Sequence, residues 1–121
     1  MIAVIFEVTP APGAMQDYLD TAASLRPEIE KFDGFISIER FSSLTNEGKM
    51  VSISFWRDEE SVNRWRNVEK HRIAQARGRG GIFLDYRLRV AAVIRDYGMR
   101  ERAEAPKDSL AIHDRSQAGA G

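Results

Sequence analysis

Apolar and β-branched residues crowd positions 2–9, Ile-Ala-Val-Ile-Phe-Glu-Val-Thr, and predict a strand that Pro10-Ala-Pro-Gly13 ends. Over 14–32, Met15, Tyr18, Leu19, Ala22, Ala23, Ile29 and Phe32 recur at helical spacing. Pro27 falls inside that pattern and cannot donate to the carbonyl of Ala23, which predicts a kink or a restarted turn. Asp33-Gly34 closes the helix. A second strand is expected over 35–44, a turn at Thr45-Asn-Glu-Gly48 and a third strand over 49–56, the two strands forming a hairpin. Along the third strand Val51, Ile53 and Phe55 alternate with Ser52, Ser54 and Trp56, so one face is greasy and the other mixed. Asp58 suits an N-cap, Glu59 and Glu60 suit a first helical turn, and a helix follows over about 59–77. Gly78, Gly80 and Gly81 end it as a C-cap and turn. Residues 83–97 read as a long last strand. Leu84, Tyr86, Leu88, Val90, Ala92 and Ile94 share one of its faces; Asp85, Arg87 and Arg89 begin the other.

The element order is β-α-β-β-α-β. This is the split βαβ pattern of α+β ferredoxin-like domains: an antiparallel sheet with helices on one face. The other face is expected to carry Trp56 and the alternating polar residues, and to be covered by the sheet of a second copy in a homodimer. The domain spans 1–97. Residues 98–121 are polar, end in Gln-Ala-Gly-Ala-Gly, and form a tail that is either disordered or wraps the partner subunit.

The chain has 121 residues, the size of one domain, and 43% of them are hydrophobic. It has no cysteine, which excludes a disulfide scaffold, a cysteine nucleophile and thiolate metal sites. No apolar run approaches a membrane span, and the opening Met1-Ile-Ala-Val-Ile-Phe-Glu lacks an export signal. A cytoplasmic protein that does not meet the membrane is expected. Net charge is zero, but it is segregated. Residues 1–63 hold five basic and eleven acidic side chains, and 64–95 hold nine and two. No nucleic-acid motif accompanies these arginines, so solvated helix faces and acid–base pairing explain them, without a nucleic-acid partner.

His71 titrates nearest neutrality and is the first general-base candidate; His113 lies in the tail. In an unbroken helix Trp65 and Arg72 lie nearly on one line, while His71 points about 120° away. For Trp65 and His71 to share a cavity, the helix must bend or break near Asn67. Arg72, Arg87 and Arg89 are each able to bind an anionic oxygen or to pair with a carboxylate such as Glu39. Glu7 stands opposite the face of Phe6 and Val8. Two distant histidines without a carboxylate cluster make a poor metal site, so no metal is expected. The glycines at 78–81 follow a helix and so do not form a phosphate loop.

Residues 1–97 resemble the antibiotic biosynthesis monooxygenase (ABM) domain. The resemblance rests on the opening strand, Leu25-Arg-Pro-Glu, Asp33-Gly-Phe-Ile-Ser-Ile-Glu-Arg-Phe41, Ser52-Ile-Ser-Phe-Trp-Arg-Asp-Glu-Glu60 and Trp65-Arg-Asn…His71-Arg-Ile-Ala-Gln75. It implies a dimeric α+β barrel with a pocket between helices and sheet. It also implies oxidation of phenols or quinols by oxygen without metal or flavin, or, in other members, haem degradation. Trp65 matches the helix Trp of both types. Six positions on, where quinol-type members place a substrate-facing Tyr, stands His71. Ten positions on, where haem-degrading members place an iron ligand, stands Gln75, a poor ligand. The resulting expectation is a cofactor-independent monooxygenase for a small aromatic ligand. In it Trp65 is the pocket wall, His71 the base, Gln75 a hydrogen-bond donor, and Arg87 and Arg72 binders of a substrate oxygen. The alternatives are a haem-binding or haem-degrading member and a non-catalytic ligand-binding dimerisation module.

Overall fold

The computed structural model describes residues 1–76 and 83–108, with side chains described through Glu69 in the first segment. The predicted turn at 78–81 and His113 lie outside the described residues. The elements follow the predicted order: β1 (Ile2–Pro10), α1 (Met15–Glu30), β2 (Phe35–Ser42), β3 (Met50–Trp56), α2 (Glu59–Ala76) and β4 (Phe83–Ala92). They form a ferredoxin-like fold whose antiparallel sheet has the order β2-β3-β1-β4. The expected hairpin is present as the β2–β3 pair.

α1 runs through Pro27 as one helix, so of the two expected outcomes the restarted turn is not seen. The faces of β3 are the reverse of those predicted. Trp56 does not lie on the open face; it is 1% exposed and packs under the helices with Leu25, Ile29, Val62 and Trp65. Register carries Ser54 and Ser52 to that side too, beside Val4 and Phe6 of β1. The greasy set, Val51, Ile53 and Phe55, stands beside Glu7, Ile5 and Ala3 on the open face. Alternation fixes which residues share a face, but not which face the helices cover.

The roof is locked to the sheet at the start of α2. Asp58 caps the helix as predicted: its Oδ1 accepts from the Ser61 backbone N–H at 2.8 Å and the Ser61 hydroxyl at 2.7 Å. These donors, with Arg57, hold the Asp58 carboxyl well below the usual carboxylate range. Arg57 reaches both oxygens of Asp33, each at 3.0 Å, and so joins the end of α1 to the end of β3. Its backbone N–H donates to the Gly34 carbonyl at 2.8 Å. Gly34 has φ +91°, and a Cβ there would overlap the Ser61 side chain. Only glycine allows this approach without strain.

β4 ends at Ala92, earlier than predicted, and the helices leave Leu84 (68% exposed) and Tyr86 (60%) uncovered. Beyond it the chain folds on itself. The Asp96 N–H donates to Glu104 Oε2 at 2.9 Å, Arg102 donates to the Gly98 carbonyl at 3.0 Å, and the Arg102 guanidinium lies over the Tyr97 ring.

Candidate active site

The helix side of the sheet encloses a cavity of about 100 Å³. Its floor follows from strand register. One row is Arg40, Ser52, Phe6 and Leu88; the next begins Ile38, Ser54 and Val4. α1 contributes Tyr18, Thr21, Ala22, Leu25 and Ile29, and α2 contributes Val62, Trp65, Arg66 and Glu69. Aromatic clusters close both ends. Trp56 stacks on Trp65 at 6.3 Å between centroids, and Phe32 meets Trp65 edge-on at 5.3 Å. At the other end Phe83 lies edge-on to Phe6 at 5.8 Å and to Tyr18 at 5.9 Å. Such pairs hold their rings rigidly, so the walls are preformed. The small serines on β3 leave the space between them.

Few polar groups enter this space. Ser54 accepts a hydrogen bond from the Trp56 indole at 2.9 Å. Glu69 shares the Trp65 face one turn on. Burial pushes its carboxyl pKa up, against the Trp65 indole N–H and the Arg40 and Arg66 guanidinium groups, which favour the charged form. Arg40 reaches in from β2, and its Nε is buried without a hydrogen-bond partner. The open face has its own polar group: Glu7 pairs with Arg89 at 3.2 Å and Lys49 at 3.6 Å, and Arg89 chiefly holds the Glu7 carboxyl below its ordinary value.

The predicted site residues divide accordingly. Trp65 is 4% exposed and forms a wall of the cavity. Arg87 does not join it: register puts Arg87 across from Glu7 on the open face. The expectation that Arg87 holds a substrate oxygen in this cavity is therefore corrected; β4 presents Leu88 to the cavity instead. The side chains of His71, Arg72 and Gln75 lie outside the described residues. α2 is unbroken past Asn67, so of the two expected ways to bring Trp65 and His71 onto one face the break is not there and the bend is left. Arg40, Ser52, Ser54 and Glu69 were missed. Glu69 was readable from its four-residue spacing to Trp65. The others were hidden by the inverted faces of β3.

This fold is found in a known class of proteins. The family model for antibiotic biosynthesis monooxygenase matches residues 1–77, and the chain belongs to that family. Among its relatives is the jasmonate monooxygenase ABM of Pyricularia oryzae, 50% identical over 93 residues. That match covers 77% of this chain and 43% of the relative, so the chain spans less than half the relative's length. Solved structures share the fold. Rv0793 from Mycobacterium tuberculosis has a TM-score of 0.67 at 18% identity, covering 80% of this chain and 98% of that one. SnoaB, a cofactor-independent oxygenase from Streptomyces nogalater, has a TM-score of 0.64 at 10% identity, covering 78% and 94%.

Proposed function

We propose that this protein is a cofactor-independent monooxygenase that oxidises a small phenol- or quinol-like molecule in the cavity beneath Trp65. The observation that carries the reading is a preformed aromatic cavity with an ionisable group inside it, in a chain of this family. The kinship to a protein named jasmonate monooxygenase supports the insertion of oxygen into a small molecule. A base removes the phenolic proton and leaves an electron-rich anion. That anion reduces oxygen directly. One oxygen atom enters the ring carbon, the one hydrogen of that carbon leaves together with the phenolic hydrogen, and the second oxygen atom departs with them as water. The substrate supplies all the electrons, so no flavin or metal is required. His71 is the proposed base, by its spacing from Trp65; Trp65 supplies a wall, and Gln75 and Arg72 lie further along α2 as donors to the substrate.

Two copies are proposed to pair through their open faces. Ala3, Ile5, Val51, Ile53 and Phe55 form an apolar surface there whose burial favours association.

The test is oxygen uptake with a panel of hydroquinones and naphthols, after dialysis against chelator and without added flavin or nicotinamide. Uptake coupled to a product heavier by one oxygen and lighter by two hydrogens is expected, with a loss of kcat in His71→Ala. Full activity in His71→Ala removes His71 from the mechanism. A haem titration run beside it reads the competing chemistry: a Soret band lost in His71→Ala supports haem binding.

A further inference from the structure

We propose that Arg40 is the ligand anchor of the cavity, and that the ligand it selects carries an oxyanion on a compact apolar body. This rests on the reading of the cavity as a ligand pocket and adds the charge of what enters it.

The argument starts from an unmet hydrogen bond. A buried donor without an acceptor costs free energy, and folded proteins rarely leave one. Arg40 Nε is such a donor, and Arg40 lines the cavity. Its strand neighbour is Ser52, a small side chain. Glu69, the carboxylate that lines the same cavity, forms no ion pair with Arg40 within 4.0 Å. Among the described residues Nε therefore has no acceptor, and the guanidinium that lines the cavity has room for one supplied by a ligand. An oxyanion suits it best, because charge-assisted hydrogen bonds to guanidinium are the strong ones.

The surroundings agree. Arg66 adds a second positive charge at the cavity, against the single carboxylate of Glu69. Burial favours the neutral form of that carboxylate, which lessens its repulsion of an incoming anion. The aromatic walls are Trp56, Trp65, Phe6, Tyr18 and Phe83, which select an apolar body. A carboxylic acid with a ring and a phenolate both meet this description. In the reaction proposed above, the anion left by proton removal would be held at the same guanidinium.

The protein carries its own reporter. Its two tryptophans, Trp56 and Trp65, both line the cavity. Tryptophan emission is titrated with cyclohexanecarboxylate, with pentafluorophenolate and with uncharged cyclohexanol. At least one of the anions is expected to bind more tightly than cyclohexanol. Arg40→Gln should weaken the anions at least about tenfold, the scale of one lost charge-assisted hydrogen bond, and leave cyclohexanol unchanged. Whichever anion binds more tightly identifies the source of the oxyanion. At about pH 3.5, where Glu69 is protonated, the melting temperature of Arg40→Gln should not fall, because Nε gives up no bond in the free protein; a structural arginine would show a loss. Anions that bind no better than cyclohexanol, or equally well to Arg40→Gln, overturn the assignment of Arg40 while the pocket stands. If no probe changes the emission, pocket and anchor fail together. If the anions bind through Arg40 but no oxygen is consumed with any phenol, the anchor stands and the monooxygenase reading fails.

Discussion

The two faces of the sheet are built on opposite rules. The helix side mixes the largest side chains with the smallest: Trp56 alternates with Ser54 and Ser52, and large rings roof a gap that the serines leave. The open side has an apolar centre bordered by charges. Val51, Ile53 and Ile5 form its centre, and its charges are paired as Glu7 with Arg89 and Lys49. A face meant to bury against another protein surface needs complementary packing and few polar groups. A face meant to hold a small molecule needs space, rigid walls and a few directed polar atoms. Composition alone inverts the assignment, because the greasier face looks like the core.

The largest effects should come from the inner walls. Trp56 is 1% exposed and touches Phe32, Phe35 and Trp65. Trp56→Ala should cost about 3–5 kcal/mol, read as a lower urea midpoint. A loss below 1 kcal/mol would mean that the aromatic end of the cavity is not packed as described. Gly34→Ala comes next. It forces a side chain into positive φ and into Ser61, whose neighbours Asp58 and Arg57 lock α2 to the sheet. A loss of about 1–3 kcal/mol is expected by the same measurement. Ser61→Gly, which clears the space, should restore part of it in the double variant; no restoration would detach the cost from this contact.

The fold was legible because each element carried its own local signal. The 3.6-residue spacing of α1, the turn at 45–48 and the cap at Asp58 all point to structure within a few residues of themselves. The site was only half legible. Trp65 announces itself as a large ring on a helix. Arg40 does not, because its meaning depends on an alternation shared across three strands. Whether Arg40 faces ligand or solvent turns on which side receives the helices, and that is decided by packing of Leu25, Ile29 and Val62 against Trp56 rather than by any single strand. Arg87 was expected to hold a substrate oxygen, but its register with Glu7 puts it on the open face, away from the cavity.

The open face makes a different prediction, one that should leave the single chain folded. Ile53 lies at its centre, between Ile5 and Glu39. Ile53→Asp should convert a dimer to a monomer in sedimentation at micromolar concentration, since a carboxylate buried at an apolar interface is strongly disfavoured. Tryptophan emission should be unchanged, because Trp56 and Trp65 lie on the far side of the sheet. A wild-type protein that sediments as a monomer would show that this face is not a self-association surface. A shifted emission in the variant would show that the two faces are coupled.

The smallest expected effect belongs to Glu69 and is a matter of pH. Folding raises its pKa above the ordinary 4.5, mainly through burial. The unfolded chain therefore releases this proton first as pH rises. Below the unfolded value both states are protonated and the group takes nothing from stability. As pH rises through 4.5 and then through the raised folded value, the folded form holds the extra proton and stability falls; above that window the loss is complete. Glu69→Gln keeps an acceptor for the Trp65 indole but removes the titration. The variant should melt with the wild type at pH 3.5 (about one unit below the unfolded value) and above it at neutral pH, by less than the Gly34 effect. Equal melting temperatures at both values would mean that the carboxylate is solvated as a surface group is, and the inner face would lose its one ionisable acid.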